Sequence, residues 1–325
     1  MSGVAVVQPL PGIGDMIWHL PHIRAIARHV GAPVTLIAKP RSAADQIFAA
    51  EQTVADVFWM DRNPDRGVGG HDGSRGFLRM IRDLRARRFD AVYLLHHSRT
   101  IAAQLMAAGI PARFGYGFGP QRFLLNRRPF LPPGALRLHP FDQATAWLKL
   151  LGIALPEVEP ALPVDPAKQD AVRERLREPI GGLVAIGIGS SEPYKQWGAR
   201  NFAILAQNLG AARIVVVGGK AEADLAREIQ SLAAPVPIDL AIGWNLGEIA
   251  ALFALCDYYV GNDTGVMNMA AAVGARAYSL FGATPPFFHS SRIVPIVPPT
   301  GVDKATGMAN ILPDQVLRVI RSDRW

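Results

Sequence analysis

Short apolar segments alternate with longer amphipathic segments along most of the chain. The first apolar segment spans residues 4–7, and a Gly/Pro turn then leads into a helical pattern over residues 15–30. The same alternation restarts at residue 183 and continues to residue 281. Strands that alternate with helices form parallel sheets with helices on both faces. We therefore predict an α/β chain with two doubly wound domains.

The spacing of the apolar residues places the individual elements. We predict strands at residues 4–7, 34–38, 57–60, 91–95, 183–188, 213–217, 258–261 and 277–281. We predict helices at residues 15–30, 43–50, 76–88, 100–108, 199–209, 221–233, 246–255 and 266–273. Ligands of such sheets bind at the carboxyl ends of the strands, and two such domains place the binding site in the cleft between them.

A proline-rich segment separates the two halves. Four prolines fall within residues 155–166, where no strong periodicity is present, and this composition favours a linker. We predict an N-terminal domain of residues 1–160 and a C-terminal domain of residues 161–325. Residues 313–325 form an amphipathic helical pattern, and we expect this last helix to pack back on the first domain.

The cysteine count and the hydropathy of the chain indicate in which cellular compartment the protein is expected. The chain has one cysteine, Cys256, which excludes an intrachain disulfide framework and a cysteine-rich zinc module. Its first residues lack the basic segment of a secretory signal, and charged residues interrupt the most hydrophobic stretch. We therefore expect a cytoplasmic protein without a membrane-spanning segment.

The excess of positive over negative charge lies entirely in the first half of the chain. The net charge is +7, and residues 1–160 hold 19 basic and 12 acidic residues, whereas the two kinds are equal in number in residues 161–325. A field of this sign attracts nucleic acid, an anionic membrane surface or a phosphorylated substrate. A solvated arginine-rich helix face is the alternative explanation for residues 78–88. No aromatic-rich strand motif accompanies the charge, so we do not expect nucleic-acid binding.

The common nucleotide-binding fingerprints are incomplete. The Gly-x-Gly at residues 12–14 follows a strand, but Ile17 replaces the third glycine of a dinucleotide motif. A second Gly-x-Gly at residues 187–189 has Glu192 at that position, and residues 218–220 lack the upstream glycine of a P-loop. An NAD-dependent oxidoreductase is therefore disfavoured.

Metal-binding and hydrolase motifs are also missing from the sequence. The chain contains no Asp-x-Asp pair and no Gly-x-Ser-x-Gly. His19 and His22 are three residues apart, but no His-Glu-x-x-His frame surrounds them, and His96-His97 is more simply a hydrogen-bonded pair. We expect neither a metal nor a cofactor.

The first turn of interest joins a strand to a helix at residues 12–15. Its glycines allow a ligand to approach the backbone closely. Asp15 lies at the helix start, where it is either an N-cap or a general base that removes a proton from a hydroxyl group.

The second turn, at residues 189–197, combines hydroxyl groups with a lysine. Ser190, Ser191 and the backbone N–H groups can face a diphosphate whose charge Lys195 neutralises. A surface loop with an incidental lysine is the alternative.

The third turn begins where a strand ends at Gly261. Asp263, Thr264 and Gly265 start a helix of small residues, whose free N–H groups and positive end favour phosphate oxygens. Alone this is equally a capping turn. Together with the second turn it predicts a site for a nucleotide diphosphate.

Several strings resemble glycosyltransferase family 9, the ADP-heptose:lipopolysaccharide heptosyltransferases. They are Gly-Asp-Met-Ile-Trp-His-Leu-Pro at residues 14–21, the Lys195 loop with Trp197 and Phe202-Ala203, Gly-Gly-x-x-Glu at residues 218–222, and Gly-Asn-Asp-Thr-Gly to Leu-Phe-Gly-Ala-Thr-x-Pro at residues 261–285. The resemblance implies a GT-B fold, with two Rossmann-like domains facing a cleft. It also implies an inverting, metal-independent transfer of heptose from ADP-heptose to a phosphorylated acceptor in the lipopolysaccharide core.

The resemblance also implies roles for individual residues. Asp15 matches the proposed base, and Lys195 matches the lysine at the donor phosphates. The donor-binding set that it implies is Gly14, Ser190, Ser191, Lys195, Glu222, Asp263, Thr264, Gly265 and Asn268. Asn268 stands where the family usually has histidine, and asparagine donates a hydrogen bond but cannot become cationic.

The charge distribution suggests the acceptor contacts, because an anionic lipid acceptor needs its countercharge in the domain opposite the nucleotide. We assign them to Arg62, Arg66, Arg75 and Arg99. The expected partners are a nucleotide-sugar, an anionic glycolipid and the cytoplasmic face of the inner membrane. The alternatives are a non-catalytic nucleotide-sugar-binding protein and a transferase that uses a different nucleotide-sugar.

Overall fold

The structure is a computed structural model that describes residues 3–63, 67–177, 181–286 and 289–323. The chain divides into two compact units, Met1–Pro160 and Ala161–Trp325. Each unit contains one sheet, and every strand pair in both sheets is parallel.

The first unit is a five-stranded sheet with the order β3-β2-β1-β4-β5. Its strands are β1 (Gly3–Gln8), β2 (Val34–Ala38), β3 (Val54–Trp59), β4 (Phe89–Leu94) and β5 (Ala112–Gly115). Its helices are α1 (Ile13–Val30), α2 (Ala44–Ile47), α3 (Gly73–Arg87), α4 (Arg99–Ala107) and α5 (Pro140–Leu150). From β1 the strand order runs outward in both directions, first through β2 to β3 and then through β4 to β5. The loops that follow the neighbouring strands β1 and β4 therefore lie side by side at the carboxyl ends of the strands.

The second unit is a six-stranded sheet with the order β11-β10-β9-β6-β7-β8. Its strands are β6 (Leu183–Gly187), β7 (Arg213–Gly218), β8 (Ile238–Ile242), β9 (Tyr258–Asn262), β10 (Arg276–Leu280) and β11 (Ile293–Ile296). Its helices are α6 (Pro166–Leu176), α7 (Ala199–Asn208), α8 (Ala223–Leu232), α9 (Leu246–Phe253), α10 (Gly265–Ala272) and α11 (Pro313–Ser322). All five residues of β6 are buried, as expected for a central strand covered on both faces.

The predicted elements are present, with ends that shift by up to three residues. The exception is the helix predicted at residues 43–50, which is only the four-residue α2. The segment predicted as a linker contains no helix or strand before α6 begins at Pro166. Near its end, the Leu162 N–H donates to the Ala272 carbonyl of the second unit.

The last helix packs within the second unit. Helix α11 packs against α7, and Val316 and Leu317 belong to the core of this unit. The Arg276 and Tyr278 side chains on β10 also bond Asp323, just after the helix, at 2.7 and 3.2 Å. The apolar stripe of α11 thus has an apolar partner in its own unit, and its packing on the first domain stays a prediction.

No helix in the described residues is long and apolar enough to cross a membrane.

The placement of α11 generates a stability prediction. Leu317→Ala should lower the free energy of unfolding by about 2–5 kcal/mol, because Leu317 is 5% exposed and its truncation leaves a cavity. Leu312→Ala is the matched control, since Leu312 is 61% exposed and should change stability by less than about 0.5 kcal/mol. Denaturant unfolding followed by circular dichroism measures both variants. Equal stability of the two would show that α11 is not a core element.

Candidate functional site

In the first unit, Asp15 lies in the first turn of α1, directly after the loop that leaves β1. The side chain is half-buried, and burial raises the pKa of Asp15, which a hydrogen bond with the Gly12 backbone partly offsets. A Cβ atom at Gly12 would lie 2.5 Å from Asp15 Oδ2, so a side chain at this position would displace the carboxylate. Gly14 is the second residue of α1, beside Asp15.

A buried glutamine fixes the loop around Asp15. Gln8, the last residue of β1, is fully buried, and its Oε1 accepts a hydrogen bond from the Leu10 N–H at 2.6 Å. Its Nε2 lies 3.3 Å from the Asp15 carbonyl oxygen and 3.1 Å from His19 Nδ1. His19 Nδ1 is also 2.7 Å from that carbonyl oxygen. One strand-end side chain thus connects both ends of the turn that carries the carboxylate.

Two histidines follow the neighbouring strand β4. His96 Nδ1 accepts a hydrogen bond from the Ser98 N–H at 3.1 Å, and its ring stacks on His97 with a centroid separation of 4.4 Å. Burial, with the nearby His97, Lys39 and His19, lowers the pKa of His96 to about 4. His96 is therefore neutral at physiological pH, with its proton on Nε2, where it can donate a hydrogen bond.

The arginines assigned to the acceptor are placed differently from one another. Arg62 follows β3, and its Nε lies 3.6 Å from the Asp72 carboxylate, so it already has an ion-pair partner within the first unit. Arg75 in the first turns of α3 and Arg99 at the start of α4 are exposed. Arg66 lies outside the described residues.

In the second unit, Asn262 fixes the loop that follows β6. It is the last residue of β9 and fully buried. Its Nδ2 lies within 3.1–3.2 Å of the carbonyl oxygens of Ile188 and Gly189 and of Gln196 Oε1. Because β9 pairs directly with β6, this one amide ties the Lys195 loop to the turn at the start of α10.

Lys195 and Asp263 form an ion pair at that position. Lys195 Nζ lies 2.8 Å from Asp263 Oδ2, and both side chains are about one-fifth exposed, at 19% and 21%. The Thr284 hydroxyl is 3.3 Å from the same carboxylate oxygen. An ammonium has three N–H donors, so this arrangement holds the cation in place and leaves donors for a further anion.

Thr264 and Gly265 begin α10, and they are positioned from the sheet side by Tyr259. The Tyr259 side chain is hydrogen-bonded to that of Thr264, and burial raises the pKa of Tyr259, which keeps the phenol protonated. A Cβ atom at Gly187 would overlap the Tyr259 hydroxyl, so glycine is required there. Asn268 Nδ2 donates to the Thr264 carbonyl oxygen at 3.2 Å and so braces the first turn of α10.

The remaining residues of the expected donor-binding set lie in loops at the same edge of this sheet. Ser190 Oγ donates to the Glu192 carbonyl oxygen at 2.6 Å, whereas Ser191 is exposed. Glu222 follows the adjacent strand β7, and a Cβ at Gly219 would lie 3.0 Å from its Oε2. Because β9, β6 and β7 are neighbours, the structure brings the loops with these residues to one edge of the sheet.

Several positioning residues were missed by sequence reasoning. They are Gln8 and Asn262, which end β1 and β9, Tyr259 within β9, and Gln196 in the loop before α7. For Gln8 and Asn262, the sequence offered one signal that could have revealed them, a polar side chain at the end of an apolar strand. His19 and His22, which the sequence analysis considered as a pair of metal ligands, contact other groups. His22 Nε2 lies 2.8 Å from Thr145 Oγ1, and His19 Nδ1 lies 2.7 Å from the Asp15 carbonyl oxygen. Among the described residues, no group of three His, Cys, Asp or Glu side chains could hold a metal ion.

The sequence matches one protein family, described as glycosyltransferase family 9 (heptosyltransferase). The match spans residues 77–298, which is more than half of the chain and includes both units. It therefore covers the Lys195 loop and the turn at Asp263, whereas Asp15 lies before it.

Among curated proteins, the chain is similar to the lipopolysaccharide core heptosyltransferase OpsX of Haemophilus influenzae. The two are 26% identical over 223 residues, which is 64% of this chain and 61% of that protein. The matched region therefore spans less than two thirds of the length of this relative.

Solved structures of the family share the fold. A glycosyl transferase family 9 protein of Veillonella parvula has a TM-score of 0.79 at 18% identity, and the alignment covers 99% of this chain and 96% of that one. The ADP-heptose LPS heptosyltransferase II of Escherichia coli has a TM-score of 0.75 at 22% identity, with 98% of both chains covered. The expected fold, GT-B with two Rossmann-like domains, is confirmed.

Proposed function

Because the chain belongs to glycosyltransferase family 9, the heptosyltransferase family, we propose that it transfers heptose from ADP-heptose to a phosphorylated acceptor of the lipopolysaccharide core. The names of its relatives support both substrates, since one is a lipopolysaccharide core enzyme and another an ADP-heptose enzyme. The observation that carries the proposal is the Lys195 ammonium, fixed 2.8 Å from Asp263 beside the first turn of α10. A fixed ammonium beside a helix N-terminus can neutralise the phosphates of a sugar diphosphate.

The reaction proceeds with inversion at the anomeric carbon. Asp15 accepts the proton of the acceptor hydroxyl while the oxygen of that hydroxyl forms a bond to the anomeric carbon of heptose. The bond between this carbon and the phosphate oxygen breaks, and ADP leaves with the electron pair. The raised pKa of Asp15 makes the carboxylate a stronger base than an exposed aspartate.

The second unit stabilises the departing diphosphate. Lys195 supplies a fixed positive charge, and the free N–H groups at the start of α10 supply oriented dipoles. Ser190 and Ser191 in the loop after β6 and Asn268 in α10 complete the proposed phosphate site, and the Glu222 carboxylate accepts hydrogen bonds from the ribose hydroxyls of the nucleoside. These fixed groups take the role that a divalent cation has in other sugar-diphosphate enzymes, so the transfer is independent of metal and needs no cofactor.

The first unit binds the anionic acceptor. Arg62, Arg66, Arg75 and Arg99 are the proposed contacts, and neutral His96 offers an Nε2 proton to an acceptor hydroxyl. Since the acceptor is a glycolipid, the protein works in the cytoplasm at the inner face of the inner membrane. The concentration of positive charge in residues 1–160 supports this location.

Removal of the base is the first test. Asp15→Asn should lower kcat about 10²–10⁴-fold, because the proton acceptor is lost while the side-chain shape is kept. Binding of ADP-heptose, measured by titration calorimetry, should stay normal. Asp45→Asn is the control, since this exposed carboxylate lies at the start of α2. Near-normal turnover of Asp15→Asn would refute the base assignment, and a wild-type protein that binds ADP-heptose without forming product would be a non-catalytic binder.

The pH profile is a second test of the same group. The base is active only when deprotonated, and burial raises the pKa of Asp15 above 3.8, so kcat/KM should fall as pH decreases through that raised value. His96→Gln should keep this acidic limb, whereas the residual activity of Asp15→Asn should lack it. An acidic limb that persists without Asp15 would assign the titration to another group.

The cation is tested on the donor side. Lys195→Ala should weaken ADP-heptose binding about 10- to 100-fold and slow turnover, because a charge-assisted contact to the diphosphate is lost. Lys304→Ala removes the same charge from the neighbouring side chain that lies 5.5 Å from the Tyr194 ring, and should bind normally. Calorimetry with ADP and with ADP-heptose measures both. Unchanged affinity in Lys195→Ala would remove the phosphate role.

A further inference from the structure

An apolar groove lies on the surface of the first unit, between the segment that precedes α5 and α5 itself. We call it the leucine groove, and it has a volume of about 690 Å³. Its apolar wall is formed by Leu131, Pro132, Ala135, Leu138, Ala146 and Leu150. None of the proposed donor, acceptor or catalytic residues lines it.

Leucine side chains project from this region into solvent. Leu136 is 50% exposed, Leu138 is 43% exposed and Leu150 is 47% exposed. Single exposed leucines are common, but Leu138 and Leu150 both line one apolar groove and Leu136 is two residues from Leu138, so exposed apolar side chains are concentrated here. Such a surface indicates a partner with an apolar component.

Exposed cations lie in the groove lining and in the chain segment that leads into it. Lys149 lines the groove, and Arg137 lies in sequence between the two exposed leucines of the preceding segment. Arg127 and Arg128 precede Pro129, whose carbonyl oxygen accepts a hydrogen bond from Trp147 of α5 at 3.3 Å. All four are exposed, and within residues 119–150, which the structure describes in full, none of them forms a salt bridge.

Acidic groups are scarce in this part of the surface. The only carboxylate within residues 119–150 is that of Asp142, in the first turn of α5. Apolar side chains bordered by uncompensated cations match the boundary of an anionic bilayer, where leucines enter the acyl region and cations meet lipid phosphates. A purely apolar protein partner would leave these charges unpaired.

The leucine groove lies beside the helix that carries Asp15. His22 of α1 contacts Thr145 of α5 at 2.8 Å, and the Trp18 ring lies 5.4 Å from that of His139, the N-cap of α5. Trp18 is about one turn after Asp15 on α1. A bilayer on this surface would therefore lie next to the helix of the proposed base.

We infer that the leucine groove and its four cations dock this protein on the surface of a bilayer that contains anionic lipids. The inference rests on the proposed function for its biological purpose, since it would bring the enzyme to a membrane-borne acceptor. The docking itself is independent of catalysis, because no residue of the leucine groove has a role in the transfer. Leu136, Leu138 and Leu150 enter the headgroup boundary, and Arg127, Arg128, Arg137 and Lys149 meet the phosphates.

Vesicle co-sedimentation of the full chain tests this docking. The probes are vesicles of phosphatidylethanolamine with phosphatidylglycerol, and vesicles of phosphatidylcholine alone. Wild-type protein should bind the anionic vesicles, and binding should weaken at high salt and on neutral vesicles, because the cations contribute through the surface potential. Absence of binding to anionic vesicles at low salt would overturn the inference.

Matched variants assign the binding to this surface. Leu150→Ser should lower the vesicle partition coefficient about 5-fold, whereas Leu232→Ser should not. Both leucines end a helix and both are 47% exposed, but Leu232 lies on the second unit.

The contribution of the cations is tested with double variants. Arg137→Gln/Lys149→Gln should lower binding about 25-fold, at about 5-fold for each cation. Arg200→Gln/Arg318→Gln makes the same change in net charge at exposed positions of the second unit and should bind almost normally.

The remaining outcomes separate this inference from the proposed function. Equal loss in both double variants would show a general charge effect, and a concentration-dependent dimer that Leu150→Ser abolishes would show that a second copy covers the leucine groove. Either result overturns membrane docking.

Transfer to a water-soluble, deacylated acceptor should be unchanged in Leu150→Ser, whereas transfer to acceptor in vesicles should fall. Loss of both activities would point to misfolding, which thermal unfolding of the variant detects, and loss of soluble transfer in a folded variant would contradict a pure docking role.

Discussion

The parallel pairing of β6 with β9 is the constraint on which the proposed donor site depends. In this register Gly187 lies opposite Gly261, and Tyr259 occupies the space that side chains at these positions would need. The pairing places the loop after β6 directly beside the turn after β9. Lys195 and Asp263, which are 68 residues apart in the sequence, therefore meet at 2.8 Å. This strand order therefore gives each of the two residues its partner for charge neutralisation.

Both units stabilise their functional loops in the same way, with a fully buried amide side chain at the end of a central strand. Gln8 at the end of β1 contacts Leu10 and Asp15, and Asn262 at the end of β9 contacts the loop that carries Lys195. Each amide has several backbone contacts, and a buried amide that loses them has no water to replace them. The loops are thereby held in one conformation by the sheet, which positions catalytic groups more exactly than a loop alone can.

The sequence was sufficient for elements with strong periodicity and insufficient for elements defined by their neighbours. Helix α1 and strand β6 were predicted because their apolar patterns are unambiguous. The four-residue strand β11 contains Pro295 and pairs only with β10 in the six-stranded sheet, so it resembles a loop in sequence. Helix α6 buries only Val172 and Leu176, too few apolar residues for a periodic signal, although Asp165 and Pro166 marked its start. At the site, turn composition indicated Lys195 and Asp263, but the roles of Gln8 and Asn262 required the strand order, which no local pattern contains.

The ion pair between Lys195 and Asp263 lowers the conformational entropy that the lysine side chain would lose on binding a diphosphate. A free lysine side chain has several rotatable bonds, and fixing it on a ligand costs conformational entropy of up to about 2 kcal/mol. In this structure Asp263 already holds the ammonium beside the start of α10. In the proposed function, this entropy loss is complete before the donor binds, so that the proposed interaction with phosphate oxygens would contribute more fully to affinity. The carboxylate also reduces the net positive charge at the turn, so that affinity depends on geometry as well as on charge. In the proposed transfer, a lysine placed in this way would favour the diphosphate most strongly as negative charge develops on the leaving oxygen, because its position needs no adjustment during the reaction.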